Sequence, residues 1–264
     1  MGQEFESDRA IVTGGSRGIG WSVAEELVAQ GARVLLVARH QDALKTRVDE
    51  LNRRFPGQAF FYACDMGNQP ACAQAVVQYA LNTIGQPTLL LNGAGGASIT
   101  NALDAPWSLW VDDFQVKFFG YLAMTRAVLP LMMQQRKGVI VNLVGIAGKD
   151  PNRNLPIASA INGALNGVMK VLADDVSAYG VRIINVNPGA TETDLLETMA
   201  QATAKRSGDS VENVLKAMRA RAPLGRLPSA ADVAGVILFL MSHRAAFITG
   251  TSVDVDGGIH RGAF

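Results

Sequence analysis

Near the N-terminus the short apolar run Ala10–Val12 leads into Thr13-Gly14-Gly15-Ser16-Arg17-Gly18-Ile19-Gly20, and helical periodicity begins at Gly18. A strand, a glycine turn and a helix in immediate succession restrict the fold more than any other feature of the chain. Gly14 permits the tight turn, Gly18 lets backbone approach a pyrophosphate, and Gly20 lets the helix lie close to the sheet. The unpaired N–H groups and positive dipole end of that helix favour phosphate, with Ser16, Arg17 and Ile19 in the same loop. Glycine alone is weak evidence, because turns collect it; the flanking strand and helix make it informative.

The rest of the chain repeats this unit. Short apolar runs at Val34–Val37, Phe60–Ala63, Leu89–Leu91, Val139–Leu143, Val181–Val186 and Ser252–Val255 alternate with helical segments. Those segments are Gly18–Ala29, Gln41–Arg54, Gln69–Thr83, Trp107–Gln135, Ile157–Ala178 and Ala230–Met241. Continuous rather than alternating apolar strands predict a parallel sheet covered on both faces. The expected fold is therefore α/β: a Rossmann-like, doubly wound parallel sheet of about seven strands with helices on both faces. One dinucleotide-binding domain over residues 1–264 accounts for the chain, and 48% apolar with 18% charged residues suits its core. The stretch 192–222, rich in Ala, Lys, Arg, Ser and Glu, reads either as a mobile lid over a substrate cleft or as an ordinary surface helix pair.

Composition narrows the partners. A net charge of +1 implies no pull toward nucleic acid or an anionic membrane. No uninterrupted apolar run approaches the ~18 residues of a membrane span. Met1–Asp8 is polar and acidic, without an apolar signal region. Cys64 and Cys72 are the only cysteines and lack metal-ligand spacing, so no metal site is expected. Two reduced thiols in a cytoplasmic protein are the expectation.

The second strand ends at Ala38-Arg39, where a site selective for NAD usually places an acidic residue on the ribose hydroxyls. A small residue followed by Arg39, with Arg17 in the glycine turn, favours a 2′-phosphate instead. NADP(H) is the preferred cofactor and NAD(H) the alternative. Asp65, at the end of the third strand, is placed either to meet the adenine edge or to cap its own loop.

On these residues the chain resembles the short-chain dehydrogenase/reductase superfamily over nearly its whole length. Thr13 to Gly20 matches that family's cofactor turn. Asn92-Gly93-Ala94-Gly95 is similar to its Asn-Asn-Ala-Gly motif. Asn187-Pro188-Gly189 with Thr191 and Thr193 resembles its segment beside the nicotinamide carboxamide, and Val255-Asp256-Gly257-Gly258 resembles its C-terminal signature. The resemblance implies cofactor contacts at Asn92, Gly93, Ala94, Gly95, Pro188, Gly189, Thr191 and Thr193. It also implies a homodimer or homotetramer, here through the long helices and the small residues Ala158, Ala160, Gly163, Ala164 and Gly167.

The family's active site is usually an Asn–Ser–Tyr–Lys set, and by register all four positions depart from it. The Ser position falls on Gly145, Tyr on Ala158, Lys on Asn162 and Asn on Lys117. No tyrosine lies in 140–170, so the enoyl-reductase variant of the set is excluded too. The family implies NADP(H)-dependent oxidoreduction of an unknown small organic substrate; a non-catalytic nucleotide-binding subunit or redox sensor, and a non-redox enzyme in the same pocket, remain alternatives. The candidate replacements are Lys117, whose stem can reach the space of the missing Lys, and Asn162, which can still bond the cofactor ribose. Tyr121 shares a helix face with Lys117 and is expected in the core. Lys149, Asp150, Arg153 and Asn154 line a polar pocket or face water. His260 belongs to a tail that can reach a neighbouring subunit. Restoring Gly145→Ser, Ala158→Tyr and Asn162→Lys together is expected to create carbonyl reductase activity.

Overall fold

The computed structural model describes residues 3–96 and 98–262. Its seven strands, all parallel, are β1 (Arg9–Thr13), β2 (Arg33–Ala38), β3 (Ala59–Ala63), β4 (Leu89–Asn92), β5 (Gly138–Leu143), β6 (Val181–Pro188) and β7 (Thr251–Val255), in the order β3-β2-β1-β4-β5-β6-β7. The order reverses between β1 and β4. At such a switch point the loops leaving two neighbouring strands diverge, so ligands bind outside the strands' C-terminal ends.

Helices cover both faces. Helices α1 (Gly18–Ala29), α2 (Gln41–Arg54) and α9 (Ala230–Met241) pack on one side, through Val23, Leu27, Leu44 and Ile237. Helices α3 (Ala71–Thr83), α5 (Gly120–Gln135) and α6 (Pro156–Val176) pack on the other, through Val76, Met124, Val128, Ile161 and Leu165. This arrangement explains why the strands read as continuous apolar runs. Between β6 and α9, α7 (Asp194–Ser207) and α8 (Val211–Ala220) pair over a small apolar cluster of Ala200, Ala204 and Val214. The acidic Asp194 and Glu197 at the start of α7 and the basic Lys205 and Arg206 at its end match the helix dipole.

Two departures from the sequence reading have physical causes. The helix expected over 107–135 is interrupted: α4 (Trp107–Asp113) passes through a π-helical segment, Phe114–Phe119, into α5. By length and composition this stretch is apolar enough to cross a membrane, yet it turns Tyr121, Met124, Val128 and Met132 into the core. Cys64 and Cys72, expected as free thiols, are joined in a disulfide with Cα atoms 6.1 Å apart. The short turn from β3 into α3 brings them within bonding reach. Met1 and Gly2 lie outside the described residues.

Buried amides bind the middle of the sheet together. Asn92, Asn142, Asn185 and Ser252 stand in register on β4, β5, β6 and β7. Asn92 Nδ2 donates to Asn142 Oδ1 at 2.8 Å, and Asn142 Nδ2 to Asn185 Oδ1 at 2.9 Å. Asn185 Nδ2 reaches Asn166 Oδ1 of α6 at 3.2 Å, which also accepts from Ser252 Oγ at 3.0 Å. Asn92 Nδ2 is shared with Thr125 Oγ1 of α5 at 3.1 Å. Buried polar groups are costly when unpaired, so each amide holds its neighbours in register. Asn142→Ala should lower unfolding free energy by about 2–4 kcal/mol in urea titrations, because it strands Asn185 Oδ1 and one N–H of Asn92.

Candidate active site

The C-terminal ends of β1, β2 and β4 meet at the glycine turn. Gly14 has φ +72°, and its N–H donates to Val37 O of β2 at 2.8 Å. A Cβ at Gly14 would lie 2.4 Å from Gly93 O, and one at Gly20 would lie 2.4 Å from Gly14 O. The two turns therefore fit only without side chains. Thr13 Oγ1 donates to Leu91 O at 3.2 Å and accepts from the N–H groups of Gly93 and Ala94 at 3.0 and 3.3 Å, locking the β4 end beside the turn. Arg17, the N-cap of α1, makes no side-chain cap bond, and the first turn carries no acid. The cradle therefore presents open N–H groups and a positive helix end, the donor set a pyrophosphate requires.

The surrounding residues sort into those that face the cradle and those that brace it. Ser16 is partly buried, while Arg17 and Arg39 are exposed, neither of them in an ion pair among the described residues. Arg47, which the sequence reading missed, donates from Nε to Ser16 O at 3.3 Å and lies over the Trp21 ring at 4.5 Å, bracing the turn from α2. Asp65 is exposed and accepts from Gly67 N–H at 2.9 Å, so one carboxylate oxygen caps its own loop. Asn92 is a correction: its side chain is fully buried in the amide ladder, not turned toward the cradle. Across the turn, Gly189 N–H donates to Val255 O at 3.1 Å, and Thr191 Oγ1 to Gly189 O at 3.0 Å. Thr193 Cγ2 lies 3.5 Å from where a Cβ on Gly18 would sit, so the stretch after Pro188 closes against the glycine turn and Ile19.

The candidate catalytic residues Lys117 and Asn162 meet where the π-helical segment, β5 and α6 converge. Lys117 Nζ donates to Val144 O at 2.6 Å and to Asn162 Oδ1 at 2.8 Å. Asn162, 3% exposed, returns its Nδ2 to Gly145 O at 3.3 Å. The Lys117 stem runs along Gly95, where a Cβ would stand 3.3 Å away. The residue keeps some exposed surface, but its ammonium end is enclosed, and that burial lowers its pKa to about 8, partly opposed by the Asp113 carboxylate. The long stem thus reaches the Asn162 position, as expected. The π-helical winding carries an extra residue per turn, a feature frequent at functional sites.

Other candidates fall away. Tyr121 is 2% exposed and donates to Leu143 O at 3.1 Å; burial pushes its phenol well above the usual range. Ser159 Oγ donates to Leu155 O at 2.8 Å within the first turn of α6. Lys149, partly exposed, pairs with Asp254 at 3.0 Å, and His260 Nδ1 lies 3.5 Å from the same carboxylate, holding the C-terminal stretch against its own chain. Asp150 and Arg153 are exposed. A 660 Å³ cavity opens at the opposite ends of the strands, beside Asp8, Thr88, Arg136, Lys137 and Arg182, away from the switch-point crevice.

Gly145 and Ala158 are the positions where the resemblance leads one to expect hydroxyls. Gly145 adopts φ +111° and ψ 146°, a region open essentially to glycine alone, and a Cβ there would sit 3.0 Å from Asn162 Nδ2. Ala158 is 5% exposed on α6, so it belongs to the core and not to the outer small-residue face. Restoring the usual set is therefore not a matter of three side chains: serine at 145 opposes the backbone, and lysine at 162 would meet the ammonium of Lys117.

The fold and these strand ends define a doubly wound α/β protein of the Rossmann type. The chain matches, over residues 14–260, the profile of the family described as enoyl-(acyl carrier protein) reductase, and it belongs to the short-chain dehydrogenase/reductase superfamily. It is 30% identical over 256 residues to the 3-oxoacyl-[acyl-carrier-protein] reductase FabG of Salmonella typhimurium, covering 97% of this chain and 98% of the relative. A short-chain oxidoreductase of Pseudomonas aeruginosa PAO1, solved with NADPH and described as containing an atypical catalytic center, superposes with TM-score 0.88 at 29% identity, over 98% of this chain and 99% of that one. The L-sorbose reductase of Gluconobacter frateurii, solved with NADPH and L-sorbose, gives TM-score 0.91 at 28% identity over 98% of each chain.

Gly145→Ser alone should lower stability by about 1–3 kcal/mol, read by thermal or urea denaturation, because serine there must leave its preferred backbone region.

Proposed function

We propose that the protein is an NADP(H)-dependent oxidoreductase acting on a small organic substrate, with Lys117 as the proton-bearing group and Asn162 as its partner. The observation that carries this reading is the enclosed ammonium. It has three N–H donors; Val144 O and Asn162 Oδ1 take two, at 2.6 and 2.8 Å. The third is left for a substrate oxygen. By family register, asparagine is usual at 117 and lysine at 162. The two residue types have changed places here, and the longer stem of Lys117 returns the charge to the α6 side.

When bound, the dinucleotide supplies or accepts the hydride. The backbone of Gly14, Ser16, Gly18, Ile19 and Gly20 would hold its pyrophosphate, Arg17 and Arg39 a 2′-phosphate, and Asp65 the adenine. Gly93, Ala94 and Gly95 would flank the middle of the molecule, and Pro188, Gly189, Thr191 and Thr193 its nicotinamide end. A proton donor works best with a pKa near the operating pH, and Lys117 at about 8 meets that condition. Ala158 offers no proton, so a carbonyl substrate takes its proton from Lys117, whereas an iminium substrate is neutralised by the hydride alone and needs none. The helix pair of residues 192–222 would form the lid. Self-association to a homodimer or homotetramer would use the exposed face of α6 at Ala160, Gly163, Ala164 and Gly167.

Calorimetry should find NADPH bound at least tenfold more tightly than NADH, the difference vanishing in the Arg17→Ala, Arg39→Ala double variant. NADPH consumption over a carbonyl and imine panel then tests turnover. Tight NADPH binding without consumption would favour the sensor or partner-subunit reading.

Lys117→Met should cost ~10²–10⁴ in reduction rate while leaving NADPH binding nearly intact. In the wild type, reduction should fall as pH rises through about 8, because the neutral amine has no proton to give. A flat profile across that range would remove Lys117 from the proton step.

A further inference from the structure

The glycine turn is braced from outside its own motif. Arg47 stands on the inward side of α2, one turn after Leu44 and one turn before Leu51, both of them buried. Its guanidinium is partly buried and has three partners. Nε donates to Ser16 O at 3.3 Å, Nη1 pairs with Glu50 at 2.9 Å, and the group lies over the Trp21 ring, 4.5 Å from its centroid. Trp21 packs against the apolar cluster beneath α1, and its N–H donates to Arg17 O at 3.2 Å. These contacts close a circuit that runs from Ser16 through Arg47 and Trp21 to Arg17, the residue bonded to Ser16.

The circuit acts on one peptide unit. A trans peptide is planar, so its C=O and N–H point opposite ways. Tying Ser16 O to α2 therefore fixes the plane of the Ser16–Arg17 peptide, and with it the direction in which the Arg17 side chain leaves the turn. Arg17 has no other restraint of its own: it is exposed, its backbone is extended, it makes no side-chain cap bond, and it is in no ion pair among the described residues. A long flexible cation loses rotamer freedom when it binds an anion, and a fixed point of departure reduces that loss. The residue types fit the task. A planar guanidinium can lie flat on an indole while its edge donates to a carbonyl; the compact ammonium of lysine cannot do both.

We propose, resting on the reading of the crevice as an NADP(H) site, that Arg47 and Trp21 are positioning residues that set cofactor specificity: together they hold the Ser16–Arg17 peptide so that Arg17 meets a 2′-phosphate. Neither side chain needs to touch the phosphate. Arg47 works through the carbonyl of Ser16, and Trp21 works through the guanidinium it carries. Preference for the phosphorylated cofactor then depends on α2, a helix outside the glycine turn, as well as on the turn itself.

The test needs no turnover. Two fragments of the dinucleotide, 2′,5′-ADP and 5′-AMP, are titrated by calorimetry into the full-length protein. Both carry adenosine and its 5′-phosphate, so the ratio of their affinities isolates the 2′-phosphate and cancels any general loosening of the turn. Arg47→Gln should lower that ratio about five- to tenfold. Trp21→Leu should lower it in the same direction, and Trp21→Phe, which keeps an aromatic ring under the guanidinium, should restore most of it. Arg47→Lys keeps the charge but loses the clamp, so it should resemble Arg47→Gln; a wild-type ratio in Arg47→Lys would mean that charge alone matters and would overturn the positioning role. An unchanged ratio in folded Arg47→Gln overturns the proposal, and if that variant does not fold, an unchanged ratio in Trp21→Leu does so. A wild type that binds both fragments equally counts against the NADP(H) reading itself, and the proposal falls with it; a wild type that prefers 2′,5′-ADP while the variants keep the same preference leaves that reading standing and removes only the clamp.

Discussion

The row of buried amides across β4, β5, β6 and β7 is the interaction on which the rest of the structure leans. Asn92, Asn142, Asn185 and Ser252 occupy matching register positions, and Asn166 and Thr125 tie α6 and α5 to the same row. A parallel sheet of apolar strands has little to set its register, since one valine packs much like the next. Amides with fixed donors and acceptors do set it, because a slip leaves several unpaired in a dry interior. One layer above this row, toward the strand ends, lie Val144 and Gly145, whose carbonyls receive Lys117 and Asn162. The precision of the candidate site is inherited from the row beneath it.

That dependence gives meaning to the altered residues. Gly145 is not simply serine trimmed of its hydroxyl. Its backbone occupies a region that a side chain disfavours, and the turned carbonyl is what Asn162 bonds. Asn162, in turn, is oriented by Lys117. Lys117, Asn162 and Gly145 are thus joined by hydrogen bonds into one local structure.

Much of this could be read from the sequence, and the limits are instructive. Strand runs and the helices α1, α2 and α9 were legible because apolar periodicity and the glycine turn act locally. The α3 start was set too early, since Gln69-Pro70 turns before the helix begins at Ala71. The π-helical segment was invisible: nothing in Phe114-Gln115-Val116-Lys117-Phe118-Phe119 distinguishes a wider winding from an ordinary one. The reach of Lys117 to the Asn162 position was legible from the family register. The roles of Asn142, Asn185 and Asn166 were not, because a cross-strand row depends on register between distant segments. Gly145 reads as an absence, and only its dihedral angles reveal a conformation that disfavours replacement. The Cys64–Cys72 bond and the Lys149–Asp254 ion pair are likewise set by three-dimensional proximity.

The wide turn at Phe114–Phe119 also divides one long helix into two parts with different commitments. A single spare residue rotates everything beyond it by about 100°, so α4 and α5 share an axis without sharing a face. α5 is committed to the sheet through Tyr121, Met124, Val128 and Met132, whereas α4 buries no residue and leaves Trp107 82% exposed. α4 touches the core only through its partly buried Leu109 and Trp110. The outer half of this helix is free to diversify, in length or in side chains, and so to adapt the mouth of the crevice to different ligands while the inner half keeps the architecture unchanged.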